Sequence, residues 1–326
     1  MLDVRRLRLL RELAHRTTIA AVAEALTYTP SAVSQQLTAL EKEAGTPLLE
    51  RTGRSVTLTP AALRLVEHTE TILAVLEQAS AELASVRTEL TGALRIGAFP
   101  TAVHHILSPA LVSLSRDHPL LELLVTELDP AEAPAALRAE TLDIALLQEY
   151  DYVPLTPEPG LDTEPLFEET IHLAALTPGP LAAQSDSPWI AGTPGTLCHE
   201  MTVRACLAAG FTPRIRHHAD DFGTVLNLVA AGQGVALVPD LGTHSAPTAV
   251  ALTPLPTRRR THLAYRRGTA THPVIAAART ALHTAAAATR PGPDQRAASS
   301  RRVPIASRTW ESKGEAEIGA PAVVAE

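Results

Sequence analysis

The stretch that most constrains the fold is residues 29–41, TPSAVSQQLTALE. Thr29 is a favourable N-cap and Pro30 suits the first helical position, so the stretch predicts that a helix begins here. The face of this helix that lies opposite its apolar stripe carries short hydroxyl and amide side chains. Such side chains can read base edges in a DNA major groove. Taken alone, the stretch is equally compatible with an ordinary amphipathic surface helix. The apolar stripe consists of Val33, Leu37 and Leu40.

The neighbouring residues favour the DNA-binding reading. Residues 19–26 have the apolar spacing of a short helix, and only Thr27 and Tyr28 separate it from the next one. Two short helices joined by a tight turn are the signature of a helix-turn-helix. Residues 52–54 then predict a hairpin turn between two short strands, a wing whose tip can meet backbone phosphate. The predicted DNA contacts are Thr29, Pro30, Ser31, Ser34, Gln35, Thr38, Arg51 and Arg54.

These motifs resemble those of the LysR-type transcriptional regulators. The resemblance is carried by Leu7 to Leu13, AAVAEAL at 20–26, SAVSQQLTALE at 31–41 and the run at 45–62. It implies an N-terminal winged helix-turn-helix, a long linker helix and a two-lobed α/β effector-binding domain like that of periplasmic binding proteins. It also implies a homodimer or homotetramer that binds double-stranded DNA. The family usually has Arg or Lys near Gln35 in this helix, so the preferred half-site stays open.

Charge is distributed unevenly along the chain. The net charge is −7, yet residues 1–59 carry eight Lys and Arg against six Asp and Glu. Phosphate attraction must therefore come from the placement of charged residues rather than from bulk charge. In the first helix, the arginines at 5, 6, 8 and 11 are expected to point mostly outward. No apolar run is long enough for a membrane span and the charged start is unlike a secretory signal, so we expect a cytoplasmic protein without a membrane partner.

A long helix is predicted from Pro60 to about Leu90. Two interleaved heptad series form an a/d seam that a helix of this length cannot bury alone, so we expect a partner helix in a second copy. The alternative is a helix packed on its own chain. The series are Thr69, Leu76, Leu83 and Leu90, with Leu65, Ile72, Ala79 and Val86.

Strands and helices alternate after the seam. A βαβαβ set over 93–147 predicts a parallel sheet with helices on both faces, and a second set follows from residue 169. Residues 249–255 and 262–266 are predicted as separate strands, with the arginines at 258–260 in a solvated turn between them. The predicted domains are 1–59 for DNA binding, 60–91 for the linker and 92–289 for the effector. Lobe I spans 92–162 and 267–289, lobe II spans 163–266, and 290–326 is a disordered tail.

Ligands of open parallel sheets bind beyond the carboxyl ends of the strands. We therefore expect a small-molecule effector between the lobes. Helices are predicted to begin at Thr101 and near Thr196, and their free N–H groups favour an anion such as a carboxylate. The alternative is that these are ordinary loop and cap residues. The predicted effector contacts are Phe99, Pro100, Thr101, Leu128, Gln148, Thr193, Thr196 and Phe222.

Other chemistry has little support in the sequence. Cys198 and Cys206 stand in a region where peroxide-sensing members of the family use two cysteines, but they lie eight positions apart on one predicted helix. A disulfide would require that helix to unwind. No cofactor, metal ligand set or catalytic motif is found. The chain is predicted to be a ligand-responsive regulator; a binding protein or enzyme on the same two-lobed fold is the alternative, which the winged helix disfavours.

Overall fold

The computed structural model describes residues 1–52, 55–86 and 89–289 of the chain. The predicted tail 290–326 lies outside the described residues. The N-terminal part contains three helices, an antiparallel strand pair and the start of a longer helix. These elements are α1 (Val4–Arg16), α2 (Ile19–Ala25), α3 (Pro30–Ala44), β1 (Leu49–Thr52), β2 (Ser55–Leu58) and α4 (Pro60–Ala84).

Capping side chains set where these helices begin. Thr29 Oγ1 accepts a hydrogen bond from the Ala32 amide at 3.2 Å, and Pro30 occupies the first turn of α3. Thr59 caps α4 in the same way through the Ala62 amide. Gly45 ends α3 in the left-handed conformation, with φ of +64°, a backbone geometry that costs glycine little. The predicted helix-turn-helix is therefore confirmed from its local chemistry.

The first three helices close on one apolar core. Eight apolar side chains at the predicted helical spacing are at most 2% exposed, whereas Val4, Ile19 and Leu26 are only half-buried. The prediction that the arginines of α1 point mostly outward is wrong for Arg11, which is 6% exposed because it packs against another part of the chain. The core members used in the prediction are Leu7, Leu10, Leu13, Val22, Ala23, Val33, Leu37 and Leu40.

Helix α4 has one face packed on its own chain and another face exposed. It ends at Ala84 rather than near Leu90, and Leu90 instead packs beside the core of the next domain. Thr69 of the predicted seam is buried in its own chain, whereas Leu76 is 45% exposed and Leu83 is 76% exposed. At 1.5 Å rise per residue the helix is about 37 Å long. The uncovered part of the apolar stripe runs from the middle of the helix onward, at Ile72, Leu76 and Leu83.

The rest of the chain forms two lobes that share one mixed sheet. Strands β3, β4 and β5 are parallel, as predicted, but the other three strands, β10, β6 and β9, join the sheet antiparallel. The strand order is β4-β3-β5-β10-β6-β9. The strands are β3 (Gly92–Ala98), β4 (Leu121–Glu127), β5 (Ile144–Tyr150), β6 (Leu161–Ala175), β9 (Ala236–Pro239) and β10 (Ala251–Arg266).

Helices cover both lobes. In the first lobe, β3 leads into α5 (Pro100–Ala102), a π-helical turn (Val103–Leu107) and α6 (Ser108–Asp117); α7 (Ala133–Arg138) precedes β5. The second lobe adds a parallel pair, β7 (Pro188–Ala191) and β8 (Arg214–His218), with α8 (Leu197–Ala208) and α9 (Phe222–Ala230). The last helix, α10 (Pro273–Thr289), returns to the core of the first lobe beside α6. Short 3₁₀ turns lie at Leu181–Gln184 and Asp240–Gly242.

The predicted turn at residues 258–260 is wrong. Strand β10 passes through these positions without a break and pairs with β5 on one side and β6 on the other. A register shift between Pro254 and Arg258 lets the strand bend as it crosses from one lobe to the other. Three consecutive arginines predict that the side chains are exposed to solvent. Arg259 is nevertheless only 1% exposed, because a buried carboxylate faces it. The strand over 188–191 was also missed.

In the part of the chain that the structure describes, each helix is too short or too polar to cross a bilayer.

Candidate nucleic-acid interface and interlobe cavity

The exposed face of α3 carries the predicted base-reading side chains. Ser31 and Gln35 are exposed, while Ser34 and Thr38 are half-buried beside them. The adjacent Gln36 is held inside the chain, since its Oε1 accepts a hydrogen bond from Arg6 Nε at 2.9 Å. Serine hydroxyls and a carboxamide can donate to and accept from base edges. This face of α3 therefore presents hydrogen-bonding groups with little bulk.

The N-terminal residues of α3 support that face. Thr29 and Pro30 are exposed, and the Thr29 hydroxyl lies 3.1 Å from the hydroxyl of Ser31. Strands β1 and β2 pair from Leu49 with Leu58 to Thr52 with Ser55, which is the antiparallel ribbon expected of a wing. The Arg51 side chain and Arg54 lie outside the described residues, so their predicted phosphate contacts stay predictions.

An ionic contact fastens α1 to the first lobe. Arg11 Nη2 donates to the carbonyl oxygen of Arg138, the last residue of α7, at 3.0 Å. Arg8 forms a salt bridge with Glu140 at 2.6 Å, two residues beyond that helix. Glu140 has a φ of +60°, an uncommon backbone conformation for a residue other than glycine. The end of α7 is thereby held against the DNA-binding part.

A cavity of about 710 Å³ opens between the two lobes. Its walls are the carboxyl ends of strands in the first lobe and the helix starts of the second, as the topology of the sheet requires. A volume of this size suits a small organic molecule. All eight predicted effector positions line this one cavity, namely Phe99, Pro100, Thr101, Leu128, Gln148, Thr193, Thr196 and Phe222.

Two of the helix starts at the cavity, those of α8 and α9, are already capped by side chains. Thr196 Oγ1 accepts from the His199 amide at the start of α8, at 3.3 Å. Asp221 Oδ1 accepts from the Thr224 amide at the start of α9, at 2.7 Å. The hydrogen bond from this amide lowers the pKa of Asp221, so the carboxyl is ionised at neutral pH. Capped in this way, these helices have fewer free N–H groups to offer a ligand than the sequence predicts.

Arg259 is the buried centre of the cavity floor. Its Nε donates to Glu169 Oε1 at 2.8 Å, its Nη2 lies 2.7 Å from the same oxygen in a salt bridge, and both side chains are 1% exposed. Nη2 also donates to the hydroxyl of Thr101 at 2.9 Å, and the guanidinium lies 5.1 Å from the centroid of the Phe99 ring. Burial would lower the pKa of Arg259, but the Glu169 carboxylate more than offsets this and raises the pKa.

Glu169 is held on its other side as well. Its Oε2 accepts from the Leu241 amide at 2.7 Å, so one carboxylate connects β6, β10 and the loop that leads to the second lobe. The pair is almost free of solvent, which removes the screening that weakens surface pairs. Residues from both lobes are therefore positioned around one neutral ion pair.

Cys198 lies on α8 at the cavity wall. Its Sγ is 3.1 Å from the Tyr150 hydroxyl and 3.9 Å from Gln148 Nε2. Burial raises the pKa of the Cys198 thiol, so it is protonated and weakly nucleophilic at neutral pH. Cys206 is buried in the core of the second lobe, where burial raises its pKa to about 12. Both cysteines are free and sit on one unbroken helix.

Three histidines complete the outer part of the cavity. The rings of His105 and His244 stack with centroids 4.3 Å apart, and His104 lies next to them. Burial lowers the pKa of His105, and the neighbouring His244 and His104 lower it further, so this imidazole is neutral at neutral pH. No cluster of three metal-ligating side chains occurs among the described residues, here or at His217 and His218.

Family models match both halves of the chain. Residues 4–63 match a model described as bacterial regulatory helix-turn-helix protein, lysR family, and residues 87–287 match one described as LysR substrate binding domain. The chain belongs to the LysR family. As a LysR-type protein, it is a ligand-responsive transcriptional regulator with a helix-turn-helix for DNA.

Similar proteins span most of this LysR-type regulator. The transcriptional dual regulator GltC of Bacillus subtilis (strain 168) is 29% identical over 248 residues, which cover 73% of this chain and 81% of GltC. A hydrogen peroxide-inducible genes activator of Pectobacterium carotovorum subsp. carotovorum is 32% identical over 253 residues, covering 74% and 80%. The solved structure of a cysteine mutant of OxyR from Corynebacterium glutamicum is 25% identical, covers 92% of this chain and 95% of that one, and has a TM-score of 0.55.

Sequence reasoning missed the residue at the centre of this regulator's cavity. Arg259 lies in a run of three arginines, and such a run is usually a solvated surface. The available signal was the alternation along β10, in which Arg259 shares a face with Thr257 and Thr261, both at most 4% exposed. A buried arginine needs a carboxylate partner, and Glu169 is directly opposite in the sheet register.

Proposed function

We propose that this regulator reads duplex DNA through Ser31, Ser34 and Gln35 of α3, and that a small molecule held in the interlobe cavity changes the DNA-bound assembly. Thr29, Pro30 and Thr38 border the reading face, and Arg51 and Arg54 of the wing contact phosphate. The observation that carries the proposal is the cavity, since eight positions chosen from strand ends converge on one space of about 710 Å³.

A ligand in this cavity can act because both lobes supply its walls. A ligand shifts an equilibrium only by binding one arrangement more tightly than another. Thr101 and Leu128 of the first lobe face Thr193 and Phe222 of the second across the cavity, so an occupant bridges them. Bound ligand therefore favours the lobe arrangement in which both walls are in contact with it.

The segment that follows β4 offers a route from the cavity to the DNA-binding part. Asp129 and Pro130 line the cavity, and the same segment continues through α7 to the Arg138 carbonyl that Arg11 holds. The helix is only six residues long, so a displacement at one end reaches the other with little bending. Movement of the cavity wall then changes how α1 is held against the first lobe.

The regulator acts as at least a homodimer, joined through α4. The exposed stripe of this helix, with Ile72, Leu76 and Leu83 on it, is the surface that a second α4 covers. Two copies of α3 placed by such a dimer would meet successive major grooves, about one helical turn of DNA apart. An imperfect inverted repeat is therefore the expected DNA site.

The division of labour in the chain follows the predicted boundaries. Residues 1–59 bind DNA, 60–91 link and dimerise, and 92–289 bind the effector, with lobe I at 92–162 and 267–289 and lobe II at 163–266. The protein acts in the cytoplasm, where its DNA is, and carries out no catalysis. An enzyme on this fold is disfavoured because the cavity centre is a neutral, fully buried ion pair and the Cys198 thiol is protonated.

Selection from random duplexes with the full chain tests the reading face. We expect an enriched imperfect inverted repeat, and Gln35→Ala should relax its base preference by about 1–3 kcal/mol at one position. Gln36→Ala is the matched control, because it removes the same group from a side chain held by Arg6. Absence of any enriched sequence, or equal loss of specificity in both variants, would contradict the proposal.

A further inference from the structure

The charge of the interlobe cavity determines which class of molecule it can hold. The inference rests on the proposed role of this cavity as the effector site. Four carboxylates line it, Glu127 and Asp129 from the first lobe and Asp220 and Asp221 from the second. They stand on both sides of the opening, so an occupant meets negative charge from either lobe.

These carboxylates are not neutralised by neighbouring cations. Asp220 accepts from the Thr193 amide at 2.8 Å and from its hydroxyl at 2.6 Å. Asp221 accepts from the amide and hydroxyl of Thr224, and Asp129 from the Ala131 amide. Within the described residues, none of the four carboxylates has a Lys, Arg or His nitrogen within 4.0 Å. Hydrogen bonds from uncharged groups keep a carboxylate ionised but leave its net charge in place.

The one guanidinium among the described lining residues cannot serve an anion well. Arg259 already shares two of its nitrogens with the Glu169 carboxylate, a third contact goes to Thr101, and Nη1 donates to Gln148 Oε1 at 3.3 Å. An anion would therefore have to compete with a buried partner. Burial holds the pKa of His105 low, so this imidazole supplies no fixed positive charge either.

The expectation of an anion came from the helix starts, and their geometry weakens it. The starts of α8 and α9 are capped by Thr196 and Asp221. The third start, at Phe99, has no capping side chain, but its first helical residue is Pro100, which has no N–H to donate. Two of the three helix starts therefore already have a side-chain partner, and the third lacks one donor.

The walls between the charges are apolar. Phe99, Leu128, Phe222 and Leu241 line the cavity. One face of Phe99 is occupied by Arg259, whereas the Phe222 ring packs against Gly242, where a side chain would come within 2.9 Å of it. Aromatic faces attract organic cations, and apolar walls bury a hydrocarbon body.

We infer that the effector is an organic cation, an amine or similar group carried on an apolar body, rather than the carboxylate that the helix starts suggest. The ammonium group sits between the carboxylates of the two lobes, and the hydrocarbon part fills the space toward Phe222 and Leu241. By drawing Asp129 and Asp221 toward one charge, the cation pulls the lobes together.

Matched sets of probe molecules, added to the full chain, test whether the cavity prefers a cation or an anion. Each set keeps one apolar body and changes only the polar group, as in 2-phenylethylamine, 3-phenylpropionate and 2-phenylethanol, or hexylamine, heptanoate and hexanol. Thermal unfolding and calorimetry should rank the amine first within each set, by about tenfold over the alcohol. The preference should weaken as salt is raised, because exposed charges are screened.

Variants of the cavity carboxylates test whether these side chains cause the preference for the amine. Asp129→Asn with Asp221→Asn removes two charges while keeping the side-chain oxygens that cap and turn the chain. This double variant should lose the amine preference. Asp186→Asn, an exposed aspartate away from the cavity, is the matched control and should keep it.

The outcomes separate this inference from the proposed function. A carboxylate that binds best and alters the DNA complex would overturn the charge assignment but leave the effector cavity standing. Failure of every amine to stabilise the chain, or unchanged amine binding in the double variant, would also overturn the inference. Loss of the DNA response to every ligand, with cavity binding intact, would count against the proposed function instead.

Discussion

At the scale of single residues, the pair formed by Arg259 and Glu169 is the most tightly constrained feature of the effector domain. Both side chains are 1% exposed, so either charge left alone would be stranded away from water. Glu169→Gln should lower the free energy of unfolding by about 3–5 kcal/mol, a typical cost for breaking a buried pair. The double variant Arg259→Met with Glu169→Gln should be more stable than Glu169→Gln alone.

Denaturant unfolding of the wild type, the two single variants and the double variant measures the energetic coupling between the two side chains. The glutamine keeps an oxygen for the Leu241 amide, so the comparison isolates the charge. Strictly additive effects of the two substitutions would show that the two charges are not energetically coupled.

Glu164 makes stability depend on pH. Its carboxylate on β6 accepts from Arg279 Nε at 2.8 Å and lies 3.1 Å from His283 Nε2, which ties α10 to the sheet. The hydrogen bond from Arg279 lowers the pKa of Glu164 below its ordinary value. A lowered folded-state pKa adds stability that is fully present above the unfolded-state value and is lost as the pH falls through the folded-state value.

Glu164→Gln should therefore cost about 1–3 kcal/mol at pH 7, and the difference from the wild type should shrink as the pH falls below about 4. Unfolding curves between pH 7 and pH 3 measure it. Glu122→Gln, on an exposed position of β4, is the control and should show little difference at any pH. A cost of Glu164→Gln that is the same at pH 3 and pH 7 would contradict the assignment.

At the scale of elements, the success of sequence reasoning depends on how local the signal is. The start of α3 follows from its cap Thr29 and from Pro30, and its buried face follows from the periodicity within the stretch. Strand β10 was predicted as two strands around a turn, because the partner that buries Arg259 lies about 90 residues earlier in the chain. Helix α4 was predicted too long, since Leu90 continues the heptad spacing but packs on the first lobe.

The exposed stripe of α4 is tested by placing charge on it. Leu76→Glu with Leu83→Glu would bury two carboxylates if a second helix covers this face, and burying unpaired charge is costly. Light scattering should then show a smaller species with weaker DNA binding. Gln78→Glu with Ser80→Glu puts the same charges on other exposed positions of the helix and should leave the assembly unchanged. A wild type that is monomeric at micromolar concentration would contradict the dimer.

At the scale of the whole molecule, the sequence could place the site but not its charge. All eight predicted effector positions meet at one cavity, because strand ends and helix starts in this topology share an edge of the sheet. The sequence could not predict the net charge that the cavity presents to a ligand. That charge depends on which carboxylates are paired with a cation such as Arg259. That information lies in contacts between β6, β10 and the two lobes, all distant along the chain.

The central claim is that the cavity and α3 are energetically coupled. The most direct measurement determines the affinity of the full chain for its selected duplex with and without a cavity ligand, and the affinity for that ligand with and without the duplex. The account predicts the same factor in both directions, about 5–150-fold, because linkage between two sites is reciprocal. A ligand that binds the cavity with equal affinity in the free and DNA-bound protein would contradict it.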